Sequence, residues 1–329
     1  MRTVITVVLL TLISAAIAGA CCMVPHDYPG SISQNAHEAL ILHDQGREEL
    51  VLRIDYKITG KAAPPTFAWV ITVPSEPDAY AIADKKIFKD MDGFASMLRP
   101  RTPSLNIFPL ADSARPKVDS IELGKRVQVG PYDIQPVRGV GPNALAGLND
   151  WLKSNGFPTE DPAHMSYFVK RRFTFLCIRI DPPKDAKAVG KGGKLPPMHL
   201  SFASEKPYYP LRFSSRQGVF DVNLHLLTRE KLDYKTSAEV LGRLRWSNAN
   251  YRRNVPLEEL TVFGGVPKSL AKVFEKSRLK DKKKNWIYNN IRGRKVNANN
   301  AIAGWKTDIF FNGIPDQRQA RVEGDASAG

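Results

Sequence analysis

The sequence predicts an α+β protein, mainly antiparallel β-sheet with two or three amphipathic helices. Three observations carry this. Twenty-four prolines and 23 glycines among 329 residues interrupt long helices, and no heptad repeat runs through the chain. Apolar residues alternate with polar ones in most patterned stretches, the period of a strand with one face on a core. Helical spacing is confined to a few short segments. With 43% hydrophobic and 25% charged residues, the chain can fill a core and is not disordered throughout.

The N-terminus predicts an address. Met1 and Arg2 form a positive start, residues 4–17 are apolar, and Ala18-Gly19-Ala20 supplies small residues, so residues 1–20 read as a secretory signal peptide cleaved after Ala20. The apolar run is shorter than the roughly 20 residues of a membrane span, and no transmembrane helix is expected in the mature chain. Cleavage leaves Cys21 first. Ala18 stands where lipoprotein processing favours a larger aliphatic residue, so lipid attachment at Cys21 is not the expected outcome. The chain is expected to be periplasmic or extracellular. In that compartment three cysteines suggest one bridge and one thiol, and the expected bridge is Cys22 to Cys177, pinning the N-terminal arm to an apolar strand. The alternative is a buried free Cys177 acting as a small hydrophobe.

Residues 36–59 read as a hairpin around Asp44-Gln45-Gly46-Arg47, with Leu50, Leu52, Ile54 and Tyr56 on an apolar face and Arg53, Asp55 and Lys57 on a charged one. A third strand, 66–73, is more apolar and is expected in the same sheet. Asp84 caps a helix reaching about Leu98, with Ile87, Phe88, Met91 and Phe94 at helical spacing. Four prolines make 99–118 a loop. A strand at 125–137 is broken by Gly130-Pro131, and 142–155 is a helix that Gly156 closes in the left-handed conformation. A helical piece at 164–169 leads into a strand at 173–180. After a flexible excursion at 182–197, strands are expected at 198–203, 208–213 and 218–228, a helix at 267–280, and a strand at 306–311. Residues 315–329 read as a disordered tail.

Several sequence motifs come close to known chemistry and fail. Gly139-Val140-Gly141 lies between strand and helix but lacks both the dinucleotide spacing and a following Gly-Lys. His37-Glu38 opens like a zinc-protease helix but has Ile41 where the second histidine belongs. There is no Gly-x-Ser-x-Gly elbow. No catalytic set, cofactor or metal site is expected.

Two groupings remain. Asp221, Asn223 and His225 share one strand face, and with His199 they define a candidate polar cleft if the two strands lie close. Asp221 and His225 are about 13 Å apart along a strand, too far to bond directly. The second grouping is charge. Most of the formal +15 falls between residues 266 and 296, and the candidate anionic-surface residues are Lys272, Lys276, Lys282, Lys283, Lys284, Trp286, Arg292 and Arg294. Leu270, Val273 and Phe274 form an apolar stripe on the same helix, either for docking or for packing on the core.

The segments CCMVP at 21–25, the strand at 38–43, PTFAWVITVPSEP at 65–77, VGPYDIQPV at 129–137 and Trp151-Leu152 together resemble a family of exported bacterial proteins, domain-of-unknown-function family 2330, over residues 21–228. The resemblance implies a bacterial, extracytoplasmic β-rich domain and carries over no catalytic residue. Residues 229–314 are read as a basic region packed on or following that domain. The expected function is that of a non-enzymatic envelope binding or structural module whose partners are anionic polymer or lipid head groups, with no specific nucleic-acid recognition. The alternative is an envelope hydrolase with a cleft near His199 and His225.

Overall fold

The computed structural model describes residues 21–97, 120–140, 142–182, 189–216, 219–229, 231–232, 251–253, 266–279, 286–297, 309–311 and 313–314. Two sheets face each other. In the first, strands run in the order β1 (Cys22–Met23), β4 (Phe67–Val73), β9 (Thr174–Ile180), β8 (Tyr132–Val140) and β6 (Ser120–Leu123), with β7 (Val127–Val129) also on β8. In the second, the order is β15 (Tyr251–Arg253), β16 (Ile287–Asn297), β13 (Val219–Thr228), β2 (Ile32–Asp44), β3 (Arg47–Ile58), β11 (Met198–Ala203) and β5 (Ala79–Ile82), with β10 (Gly192–Lys194) on β3. Short pairs β12 (Tyr208–Tyr209) with β17 (Ile309–Phe310), and β14 (Lys231–Leu232) with β18 (Gly313–Ile314), complete the strands. Among the described strands, pairing is antiparallel except between β2 and β13. The α+β class read from the sequence is the one observed.

The β2–β3 hairpin shows why the register is firm. Gln45 and Gly46 have φ of 47° and 74°, so a two-residue turn with both φ positive joins strands whose right-handed twist it matches. Every second residue of β3 from Leu50 to Ile58 then enters the core between the sheets, where the Tyr56 and Phe67 rings lie 4.8 Å apart. Each large apolar side chain buried there contributes on the order of 2 kcal/mol. Strand β4 does not extend this hairpin sheet, as its neighbourhood in sequence suggests, but lies in the facing one. All seven of its residues are buried, which requires cover on both sides.

Helices cover the outer faces. Helices α2 (Pro142–Ser154) and α3 (Pro162–Lys170) pack on the first sheet, and Asp161 caps α3 by accepting from the Ala163 N–H. Helices α1 (Ile87–Met97) and α4 (Lys268–Lys276) pack on the second, where Phe88, Met91, Leu270, Val273 and Phe274 meet Leu40, Leu42 and Val51 in a separate apolar cluster. The excursion expected at 182–197 contains β10, paired with β3, and the strand expected at 208–213 is only β12 followed by a 3-10 turn at Arg212–Arg216. The expected loop at 99–118 and the tail at 315–329 lie outside the described residues.

The expected Cys22–Cys177 bridge is not formed, and Cys21, Cys22 and Cys177 are all buried and unbridged. The register explains this. Cys22 pairs with Trp69 on one side of β4, and Cys177 pairs with Val70 on the other. The two cysteines are therefore two strand spacings apart, about 9–10 Å, and their side chains leave opposite faces of the sheet. A disulfide needs Cα atoms within about 7 Å. Cys22 instead accepts a hydrogen bond from Gln34 Nε2 at 2.9 Å, and the Cys21 thiol lies 3.2 Å from Ser214 Oγ.

Candidate functional site

The face of the second sheet beneath α1 and α4 carries the polar chemistry. His225, Leu40, Val51 and His199 are successive partners across β13, β2, β3 and β11, so all four point to this face. The two histidines that the sequence grouped therefore share a row but not a pocket. Three strand spacings, about 14 Å, separate them, and the two apolar side chains stand between.

At one end of the row, His225 is wholly buried. Its Nδ1 lies 2.6 Å from the Tyr288 hydroxyl, and its Nε2 lies 3.5 Å from Asp92 Oδ1, on α1. Asn223 donates to the same Asp92 oxygen at 3.0 Å, and Arg292 donates to it at 2.6 Å. Asn290 donates to Asn223 Oδ1 and accepts from Arg292 Nε, which closes the network. Desolvation lowers the pKa of His225 against the pull of Asp92. Partial burial raises that of Asp92, but bonds from His225 and Asn223 and the charge of Arg292 outweigh it and hold the carboxyl below its ordinary range. His225 takes its carboxylate from α1 and not from Asp221, which is exposed on β13.

At the other end, His199 is 4% exposed, and its Nε2 lies 2.8 Å from Glu49 Oε2. Glu49, wholly buried, also accepts from Ser201 Oγ at 2.9 Å and from the Arg278 N–H at 2.7 Å, while Arg47 donates to Ser201 Oγ at 3.0 Å. The direction of this chain makes Glu49 Oε1 the acceptor from both Ser201 and Arg278. His199 faces a cleft of about 170 Å³, bounded by Ile82, Ala83 and Asp84 on one side and Lys272, Val273 and Lys276 of α4 on the other. Asp84 is held below its ordinary range by the Lys86 backbone N–H and by Lys272, whose ammonium donates to it at 2.9 Å. Elsewhere, a void lined by His37, Thr72 and Ser214 holds about 10 Å³, room for one water at most.

The sequence-predicted cations divide. Lys272 and Lys276 are exposed on α4, and Arg292 is engaged with Asp92. Trp286, expected at the surface, is 1% exposed, with the Arg229 guanidinium 4.1 Å from its ring and Phe274 against it edge-on. Lys282, Lys283, Lys284 and the Arg294 side chain lie outside the described residues. The apolar stripe of Leu270, Val273 and Phe274 packs on the core. Sequence reading did not single out Glu49, Asp92, Tyr288 and Asn290. The near-charged face of β3 concealed Glu49, and Asp92 looked like one more solvent-facing helix residue.

No helix among the described residues is long and apolar enough to cross a membrane, and among them no group of three or more His, Cys, Asp or Glu could hold a metal ion. The model of a family described as "uncharacterized protein conserved in bacteria (DUF2330)" matches residues 14–265. No curated protein matches the chain. Among solved structures, the crystal structure of baculovirus P35 aligns over 89% of this chain and 100% of its own, with 9% identity and a TM-score of 0.42. A mutated baculovirus P35 after caspase cleavage aligns over 86% and 100%, with 11% identity and a TM-score of 0.39. Likeness at this level carries no functional argument.

Proposed function

The chain belongs to the DUF2330 family of proteins conserved in bacteria, and from that premise we propose that it is an exported binding module that holds an anionic partner, envelope polymer or lipid head group, against the lysine face of α4. The signal-like N-terminus supports the address. The observation that carries the reading is the division of α4: Lys268, Lys272 and Lys276 are exposed while Leu270, Val273 and Phe274 are buried against the sheet. With its apolar side committed to the core, this helix offers a partner charge alone, so the contact is electrostatic and screened by salt. Retention of the mature chain on heparin or on anionic vesicles tests it. Retention that falls steeply between low and moderate salt, and falls further in Lys268→Glu/Lys276→Glu, is expected. Retention indifferent to both changes rejects the reading.

The hydrolase alternative has one supporting observation, the carboxylate-backed His199 at the cleft, which is the arrangement of a general base. His225 has no part in it. Asp84, the carboxylate lining the cleft, is already engaged with Lys272 and the Lys86 N–H.

A further inference from the structure

The lysine face of α4 is half of a larger one. Helix α1 lies beside α4 on the second sheet, and two bonds cross the seam between them: Lys272 Nζ donates to Asp84 Oδ2 at 2.9 Å, and Ser269 Oγ donates to Asp90 Oδ2 at 2.6 Å. Sequence number rises along one helix as it falls along the other, so the two run antiparallel. Phe88, Met91, Leu270 and Val273 hold both down on the sheet. The seam thus engages the carboxylates of Asp84 and Asp90. What faces outward is cationic: Lys85 and Lys86 in the turn entering α1 and Lys89 in its first turn are exposed, as are Lys268, Lys272 and Lys276. Among the described residues only Lys272 of these makes an ion pair, and Glu275 is the one carboxylate that α4 carries.

Antiparallel alignment sets these cations in two rows, Lys85, Lys86 and Lys89 on one helix beside Lys276, Lys272 and Lys268 on the other. The α4 row spans about 12 Å at the helical rise, and packed helices stand about 8–10 Å apart. The charge is therefore spread over an area and not along a line. A single polyanion chain that follows one row leaves the other in water, whereas a layer of head groups meets both at once. The face also offers nothing to insert among acyl chains: among the described residues the one exposed large hydrophobic side chain is Leu123, on β6 of the other sheet. From this layout we infer that α1 and α4 together form a single docking face for an anionic lipid bilayer, lying flat on the head groups without entering the hydrocarbon. Each lysine held near an anionic bilayer strengthens binding about fivefold, so the second row converts a weak contact into a firm one.

This docking face rests on the anion-binding reading of α4, to which it adds a second helix and a single partner, so the two fail separately. The test is footprinting of the mature chain with a lysine-acylating reagent, in the presence of vesicles of phosphatidylglycerol and phosphatidylcholine in equal parts, of phosphatidylcholine vesicles, or of heparin. The phosphatidylglycerol vesicles are expected to protect Lys85, Lys86 and Lys89 together with Lys268 and Lys276, and the neutral vesicles to protect none of them, a readout that needs no variant to fold. In co-sedimentation with the same vesicles, Lys85→Glu/Lys89→Glu is expected to weaken binding at least about tenfold. Asp84→Asn keeps an acceptor for the Lys86 N–H and removes the charge opposing Lys272, so it should strengthen binding severalfold. Protection of the α4 lysines alone, or an α1 reversal that binds as the parent protein does, overturns the inference and leaves the α4 reading standing. Protection by heparin without protection by vesicles gives the face to a polymer and overturns it too. Protection by neither rejects both.

Discussion

Glu48 and Glu49 are consecutive, both wholly buried, and on opposite faces of one strand. Glu49 points beneath α4, where three donors meet its carboxylate. Glu48 points between the sheets, where Oε2 accepts the Tyr208 N–H at 2.7 Å and Oε1 meets no donor among the described residues. Desolvation pushes the Glu48 carboxyl well up, with the neighbouring Glu49 charge adding to the shift and the Tyr208 bond opposing it. The structure therefore favours its protonated form.

Stability follows from that sign. A carboxyl whose folded pKa is raised costs nothing below the unfolded value near 4.5, and its stabilising contribution is lost as pH rises from there towards the folded pKa, at up to about 1.4 kcal/mol per pH unit. Glu48→Gln keeps an acceptor for Tyr208 and removes the titration. Denaturant midpoints at pH 5 and pH 8 should show a smaller loss on the alkaline side for the variant than for the parent protein. Parallel pH profiles contradict the assignment.

Acid acts through His37. It is stacked on Phe220 at 4.4 Å, with Nε2 2.5 Å from Gln34 Oε1 and Nδ1 2.9 Å from the Tyr209 hydroxyl, and burial lowers its pKa to about 3. The stability it contributes is complete above the unfolded value near 6.5 and is lost as pH falls towards 3. His225, shifted the same way, adds to the slope. His37→Gln should flatten the acid limb between pH 6.5 and 4 while lowering stability at pH 7.5 by about 1–3 kcal/mol through lost packing and bonding. Urea melts across that range measure both.

Thiol chemistry checks the strand register. Burial pushes the Cys177 thiol up, and desolvation together with Cys21 does the same to Cys22. In the native protein all three cysteines should resist alkylation, and in denaturant without reductant all three should react. A peptide containing bridged Cys22 and Cys177 contradicts the order β1–β4–β9.

Asp92 connects α1 to the far end of the second sheet. Asp92→Asn keeps the shape but removes the charge that Arg292 and His225 face, and a loss of about 1 kcal/mol is expected because the carboxylate is partly solvated. Thermal unfolding gives the number. A loss no larger than that of an unrelated surface substitution assigns the network no stabilising role.

Local patterns carried the hairpin, both strands around Gly130, and α4 with its buried stripe, because each depends on neighbours within a few residues. The rest depends on what arrives from far along the chain. Strand β4 looks like a third hairpin strand until β9 is seen beside it. Strand β16, Ile-Tyr-Asn-Asn-Ile-Arg-Gly-Arg, reads as a basic segment because its alternating Tyr288, Asn290 and Arg292 serve a polar network on the covered face. Glu49 looks solvated until α4, more than 200 residues later, closes over it. Excising residues 266–296 to test the basic region removes a strand of the sheet and a helix of its cover, so charge reversal on α4 is the informative experiment.

The pairing of β2 with β13 also sets a timetable. These strands share eight registered residue pairs in the only parallel contact among the described strands, yet the members of each pair stand 185 residues apart, and β16 reaches the other edge of β13 later still. The loop-closure entropy of these contacts falls due before their burial rewards it, which slows folding. During synthesis the completed β2–β3 hairpin waits with one edge of β2 unpaired, open to pairing with other copies of the chain until β13 is made.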